Sequence, residues 1–300
     1  MSLEEKPIIS PSLAMIISLV AVSTASILIR LTEAPPMTIA TWRMVLSSLI
    51  LIPFFISNGG FHKIRIMNLQ DRLTLIGVGV VLAIHFASWI TSLSYTSVAS
   101  SVIFVHVDPI FVALTSHFLL KERVEKKQVL GIITAFLGVS VIAYGDFGPG
   151  KENLIGDALS LIGAIALGTY IIAGRHLRQR LDLTTYVTPV YIVSAFVLTM
   201  GSIFFGTSLF GYPLNTMLMF AIIALIPMIF GHTVYNWALK WVSAPVVSLS
   251  LLGEPIGASI LAYLFLGETP GFFTLIGSVL TLTGILICVY KPFEKKVYEE

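Results

Sequence analysis

The chain has 300 residues, 56% of them hydrophobic and only 11% charged. A soluble domain averages about 25% charged residues, so this sequence cannot supply the polar surface that a soluble protein of its size needs. The net charge of +2, with no basic-aromatic platform and no Gly-rich phosphate loop, argues against nucleic acid as a partner. The single cysteine, Cys288, rules out an internal disulfide or a cysteine metal cluster.

A membrane-spanning helix needs about 20 mainly apolar residues. Ten such segments follow one another at 12–31, 38–57, 73–94, 98–119, 126–144, 154–175, 184–205, 215–239, 244–266 and 271–290. The first resembles a signal sequence, but Glu4, Glu5 and Lys6 do not make the positive leader that a signal requires. It is therefore read as an uncleaved spanning helix. Pro35-Pro36, Asn58-Gly59-Gly60, Gly148-Pro149-Gly150 and Gly211-Tyr212-Pro213 are helix breakers that fall between segments. No alternating barrel pattern is present, and apolar runs of this length are helical in lipid.

Basic residues set the expected orientation. With the N-terminus in the cytoplasm, 15 of the 18 Lys and Arg fall on the cytoplasmic side. Only Arg30 and Lys151 lie outside, and Arg43 lies within the second segment. The positive-inside rule then puts both termini in the cytoplasm of a multi-pass protein of the cytoplasmic membrane.

The chain also repeats itself. Residues 86–144 and 232–290 align without a gap at an offset of 146, which places Asp108-Pro109 on Glu254-Pro255, Glu122 on Glu268, Gly131 on Gly277 and Gly138 on Gly284. The expected domains are residues 1–147 and 151–300, five helices each. An odd number of crossings per half makes the copies face opposite ways. The predicted fold is thus an all-α integral membrane protein of ten transmembrane helices in two inverted five-helix repeats. Gly131, Ala135 and Gly138 share a face, as do Gly277 and Gly284, and Gly156, Ser160, Gly163 and Gly168 line the sixth segment. Small residues of this kind let helix backbones approach in lipid.

These features resemble the drug/metabolite transporter superfamily, in its EamA-domain branch. The residues that carry the resemblance are Asp-Pro-Ile-Phe-Val-Ala-Leu (108–114) leading to Leu-Lys-Glu (120–122), Glu-Pro-Ile-Gly-Ala (254–258) leading to Leu-Gly-Glu (266–268), and Trp42-Arg43 in the second segment. The resemblance covers the whole chain and identifies fold and class, but not substrate. It implies a secondary transporter that exports or exchanges small metabolites, amino acids among them, by alternating access. The implied partners are a small-molecule substrate, the lipid bilayer and protons, for a monomer or a homodimer, with no cofactor.

Polar groups at bilayer depth mark the candidate site, because charges there are costly and functional by default. Asp108 and Glu254 each stand about midway along their segments, before a proline that removes a backbone N–H. Both are candidates for proton coupling; the alternative is a pair of structural pins. Arg43 is a candidate for binding an anionic group, or else it snorkels outward. His85, Trp89 and Ser92 share one face of the third segment, and His232, Tyr235 and Asn236 stand at the matching place in the second half. With Trp42 and Arg43 these are the candidate substrate-binding residues, and helix packing is the alternative. His106 is two residues from Asp108 and is expected to point largely away from it. Glu122 and Glu268 are expected to sit on the N-terminus of the helix that follows each, where the dipole stabilises a carboxylate. The sequence shows no metal-ligand spacing and no nucleophile elbow, which disfavours an intramembrane enzyme acting on a lipid-like substrate. It shows no filter-like segment, which disfavours a channel.

Overall fold

The structure, a computed structural model, describes residues 7–112, 115, 126–147, 151–242 and 244–289. Every predicted segment is helical among these residues, and they contain no strand. Among the described residues, seven helices are long and apolar enough to cross a membrane: Pro11–Arg30, Pro36–Ser57, Leu69–Ser92, Glu152–Arg178, Leu183–Phe204, Leu214–Ala238 and Val246–Leu266. The described parts of the other three, Val98–Val112, Val129–Gly145 and Phe272–Ile287, are shorter. Glu122 lies outside the described residues.

The two repeats run antiparallel to each other. The fifth helix packs along the tenth through the small residues noted in the sequence. A Cβ added to Gly138 would lie 2.5 Å from Thr281 N and 2.7 Å from the Gly277 carbonyl, and one added to Gly284 would lie 2.3 Å from Ala135 N. At the far end, a Cβ on Gly145 would lie 2.5 Å from the Phe273 Cβ. As one helix is read forward the partner is read backward, which is the geometry of an inverted repeat.

Both repeats break at the acid-proline step. The helix Val98–Val105 ends at His106 and resumes at Asp108. In the second half a short 3₁₀ turn, Leu251–Gly253, precedes the helix Glu254–Leu266. Pro109 and Pro255 offer no N–H to the preceding turn, so neither helix carries its ladder through. A third irregularity was not foreseen. Residues Ala224–Thr233 of the eighth helix form a π-helix around Pro227. Its looser carbonyls find outside donors: Ser47 Oγ donates to the Ala224 carbonyl at 3.2 Å and Ser18 Oγ to that of Gly231 at 3.0 Å. π segments cluster at functional sites, and this one carries His232.

Ion pairs tie the two ends of the bundle. At the lysine-rich end Lys63 meets Asp182 at 2.9 Å and Arg180 meets Asp71 at 3.0 Å. Asp182 also caps the helix Leu183–Phe204, accepting from Thr185 N–H at 3.0 Å. Partial burial alone would raise its carboxyl, but the Lys63 ammonium and hydrogen bonds from Thr185 and Thr184 outweigh burial and hold it well below the usual carboxylate range. At the opposite end Arg30 meets Glu268 at 2.5 Å, and Glu268 accepts from Val98 N–H at 3.1 Å. Glu268 therefore sits on a helix N-terminus, but on that of the fourth helix in the other repeat rather than on that of the helix following it.

Two predictions follow from this packing. Gly138→Ala is expected to lower stability by about 1–3 kcal/mol, the usual penalty for overpacking, while Gly77→Ala, where a Cβ meets nothing within 4 Å, is neutral or stabilising by up to about 1 kcal/mol. Thermal unfolding in detergent separates the two. Asp182→Ala is expected to cost about 0.5–2 kcal/mol at neutral pH through the lost cap. Because the folded carboxyl is held below its unfolded range, the stability it contributes is present above that range and fades as the pH falls through it, from about pH 5 downward. The gap between wild type and variant should therefore narrow on acidification; a gap that widens contradicts this reading.

Candidate functional site

The two broken helices and the π segment meet at one small cavity near the middle of the bundle. Its wall is built from matched positions of the two repeats. Trp89 and Tyr235 both line it, as do Val105 and Leu251, and each pair is separated by the repeat offset of 146. Val22, Ala25 and Leu167 complete the apolar part, and His85, His106, His232 and Glu254 are the polar part. The cavity volume is about 20 Å³, room for about one water. No metabolite fits without the repeats moving apart.

Hydrogen bonds fix the imidazoles. His85 Nδ1 lies 2.9 Å from the Gly163 carbonyl. A carbonyl only accepts, so Nδ1 carries the hydrogen. The ring stacks on Trp89 with centroids 6.0 Å apart and planes at 9°. His232 Nδ1 is 2.6 Å from the Tyr235 hydroxyl, and its ring packs against Phe86 at 5.1 Å and His85 at 6.1 Å. Phe86 is the repeat mate of His232, so the two halves touch at equivalent points.

The paired acids have different surroundings. Glu254 faces the cavity, with Oε2 at 3.2 Å from His106 Nε2, a close contact whose angle falls short of a well-formed hydrogen bond. Asp108 is buried away from the cavity wall and accepts a hydrogen bond from Ser248 Oγ. Both contacts cross from one repeat to the other. His106 and Asp108 do take different partners, in keeping with their spacing. The sequence nevertheless undervalued His106, because its partner is set by the break at the acid-proline step and not by helical periodicity.

Arg43 is fully buried, so it does not snorkel. Its guanidinium carbon lies 4.2 Å from the centroid of Phe86, and none of its three side-chain nitrogens has a hydrogen-bond partner among the described residues. The ring face offers a desolvated cation about 2 kcal/mol, which leaves the donors unmet. Arg43 stands one layer behind the cavity wall, beyond Phe86.

Besides Arg43 and Asp108, three predicted site residues lie apart from the cavity. The Trp42 indole donates to the Leu209 carbonyl at 2.8 Å and stacks on Phe220. Ser92 bonds the Trp89 carbonyl at 2.6 Å and Ser101 Oγ at 2.7 Å. Asn236 donates to the Tyr170 hydroxyl at 2.8 Å.

Comparison with known proteins agrees with this architecture. The chain is 28% identical over 260 residues to the uncharacterized transporter YyaM of Bacillus subtilis, covering 84% of this chain and 83% of that protein. It is 30% identical over 203 residues to an uncharacterized transporter of Archaeoglobus fulgidus, covering 66% of this chain and 70% of that protein. A solved structure titled only "Crystal structure of protein" superposes with a TM-score of 0.69 at 17% identity, over 93% of this chain and 96% of that one, and so shares the fold. These likenesses and the long apolar helices make this a multi-pass membrane protein of transporter type. The model of the EamA-like transporter family matches residues 9–144 and again 154–290, once for each antiparallel repeat, and the chain belongs to that family.

Proposed function

We propose that the protein is a secondary transporter which exports or exchanges small metabolites, amino acids or related organic molecules, across the cytoplasmic membrane by alternating access. The observation that carries this reading is the cavity built from matched residues of two antiparallel repeats, at the breaks in both. Sites at the interface of inverted repeats, formed by discontinuous helices, are a transporter arrangement. Rocking one repeat against the other exposes such a cavity to each side in turn. His85, Trp89, His232 and Tyr235 offer the apolar and aromatic wall with few polar points that suits a small organic ligand. Arg43, with its donors unmet behind Phe86, is placed to take an anionic group of the substrate once the cavity widens. Glu254 or Asp108 couples a proton to the cycle. The wall is close-packed in the closed form, and two of its polar contacts, His85 to Gly163 and His106 to Glu254, cross between the repeats, which favours a carrier over an open pore. The termini face the cytoplasm, and the working unit is a monomer or a homodimer.

Two experiments test this. A buried charge whose donors are unmet carries a desolvation penalty of roughly several kcal/mol, which an apolar side chain of similar length does not. Arg43→Met is therefore expected to raise the thermal unfolding midpoint while lowering transport at least about tenfold; loss of stability with unchanged transport contradicts the assignment. The substrate itself is sought by thermal-shift screening of amino acids, nucleosides and organic cations, since a ligand at about 100 times its Kd adds about 2.7 kcal/mol. Transport of the compound so found, in liposomes, is expected to respond to an imposed pH gradient and to lose that response in Glu254→Gln/Asp108→Asn. Transport indifferent to the gradient in both proteins rules out proton coupling.

A further inference from the structure

The repeat symmetry is broken at its most polar point. The repeat mate of His106 is Leu252, and that of Ser248 is Val102. Each acid has thus acquired one polar partner from the opposite repeat, and the partners differ in kind. Asp108 is matched with a hydroxyl that only donates to it. Glu254 is matched with an imidazole that can take or give a proton.

His106 Nδ1 lies 2.9 Å from the Val102 carbonyl one turn earlier in its own helix. A carbonyl only accepts, so Nδ1 holds a hydrogen, and only Nε2 is free to exchange one. That atom is the one 3.2 Å from Glu254 Oε2. With no proton at this contact, a lone pair faces a carboxylate oxygen and the two repel. With one proton, on either atom, the contact is attractive. The pair is 3% and 9% exposed at the side chains, so water does not relieve the repulsion.

The neighbouring groups make their own contacts, and the charges of Arg43 and Asp108 act on the pair only through space. The first helix presents only Val22 and Ala25 to the cavity, and the sixth only Leu167. From the third helix comes His85, whose Nδ1 is tied to the Gly163 carbonyl. From the eighth come His232 and Tyr235, bonded to each other. Asp108 is held by Ser248, and Arg43 stands over Phe86.

We propose that His106 and Glu254 hold one exchangeable proton between them, and that His106, rather than Asp108, is the positioning residue through which Glu254 takes up and releases it. The inference rests on the transporter reading above. The step balances: the pair with its proton is neutral overall, and release of that proton to water leaves one negative charge at the cavity wall. That charge is tolerated when the cavity opens to water or admits a cationic group, so proton release and opening go together. A proton on the pair favours the contracted cavity, because it joins the fourth helix of one repeat to the ninth of the other.

The test is a pH titration of the full chain in lipid nanodiscs, with carbon-13 at the Glu carboxyls and nitrogen-15 in the His rings. Glu254→Gln and His106→Gln assign the two signals. In wild type, Glu254 and His106 are expected to report the same midpoint, because a shared proton belongs to the pair. His106→Gln is expected to move the Glu254 midpoint by about one pH unit or more, a tenfold change in proton affinity. Asp108→Asn should move it less than half as far. Wild-type midpoints separated by more than about one unit overturn the proposal, and so does a larger effect from Asp108→Asn than from His106→Gln. If His106→Gln does not fold, the wild-type comparison still decides. Failure here leaves transport in liposomes untouched, whereas a protein that moves no substrate would still titrate as described.

Discussion

Hydrocarbon does not solvate charge or backbone polarity, and the organisation of this protein follows from that single constraint. Each polar group placed inside the bundle has to find its partner in protein. The π segment of the eighth helix survives because Ser18 and Ser47 supply donors to its carbonyls. The breaks at Asp108-Pro109 and Glu254-Pro255 are set where the two repeats face each other, and the acids beside them are met by Ser248 and His106. Interhelical hydrogen bonds in membranes are worth only about 0.6 kcal/mol each on average. Their contribution is therefore to fix which helices meet and in what register, more than to supply stability. Close packing of small residues supplies the contact area, most visibly where Gly138 and Gly284 admit the opposing backbone.

Arg43 is the charged group that departs from this among the described residues. A guanidinium cannot be neutralised, and here it has an aromatic face but no hydrogen-bonded anion. Structures keep such costly groups where function requires them. The cavity beside it is nearly closed and lies between repeats that touch at equivalent residues. A contracted cavity, a carboxylate on its wall and an unmet cation one layer behind it fit a carrier in the closed phase of its cycle. The Arg30–Glu268 pair, with Glu268 on the N-terminus of the fourth helix, ties the two repeats together at the end away from the lysine-rich loops.

Much of the fold was legible because hydropathy and repetition are one-dimensional signals. The apolar runs mark the helices, and the offset of 146 pairs Trp89 with Tyr235, which do share the cavity wall. Glycine spacing marked the close-packing faces of the fifth and tenth helices, though not that they pack on each other. What escaped were effects of helix irregularity. His106 was ranked below Asp108 by regular 3.6-residue geometry, yet the chain turns at that residue and sends it to Glu254. Pro227, five residues before His232, was the available sign of the π segment. Glu268 was placed on the nearest helix N-terminus in sequence, whereas the structure seats it on the nearest in space. Ser92 and Asn236 share faces with cavity residues but are drawn off by partners at Ser101 and Tyr170, and Trp42, on a helix that gives the wall no residue, is held at Leu209.

The central claim is that one cavity at the junction of the repeats opens to each side of the membrane in turn. It is tested most directly with a single reporter thiol at Leu167, which lines the cavity, in a Cys288→Ser background. The measurement is its reaction rate with a membrane-impermeant thiol reagent added to either face of oriented vesicles. The account predicts reaction from both faces, with a pH gradient that raises the rate on one face and lowers it on the other. Reaction from one face only, or rates that rise together on both, would contradict it.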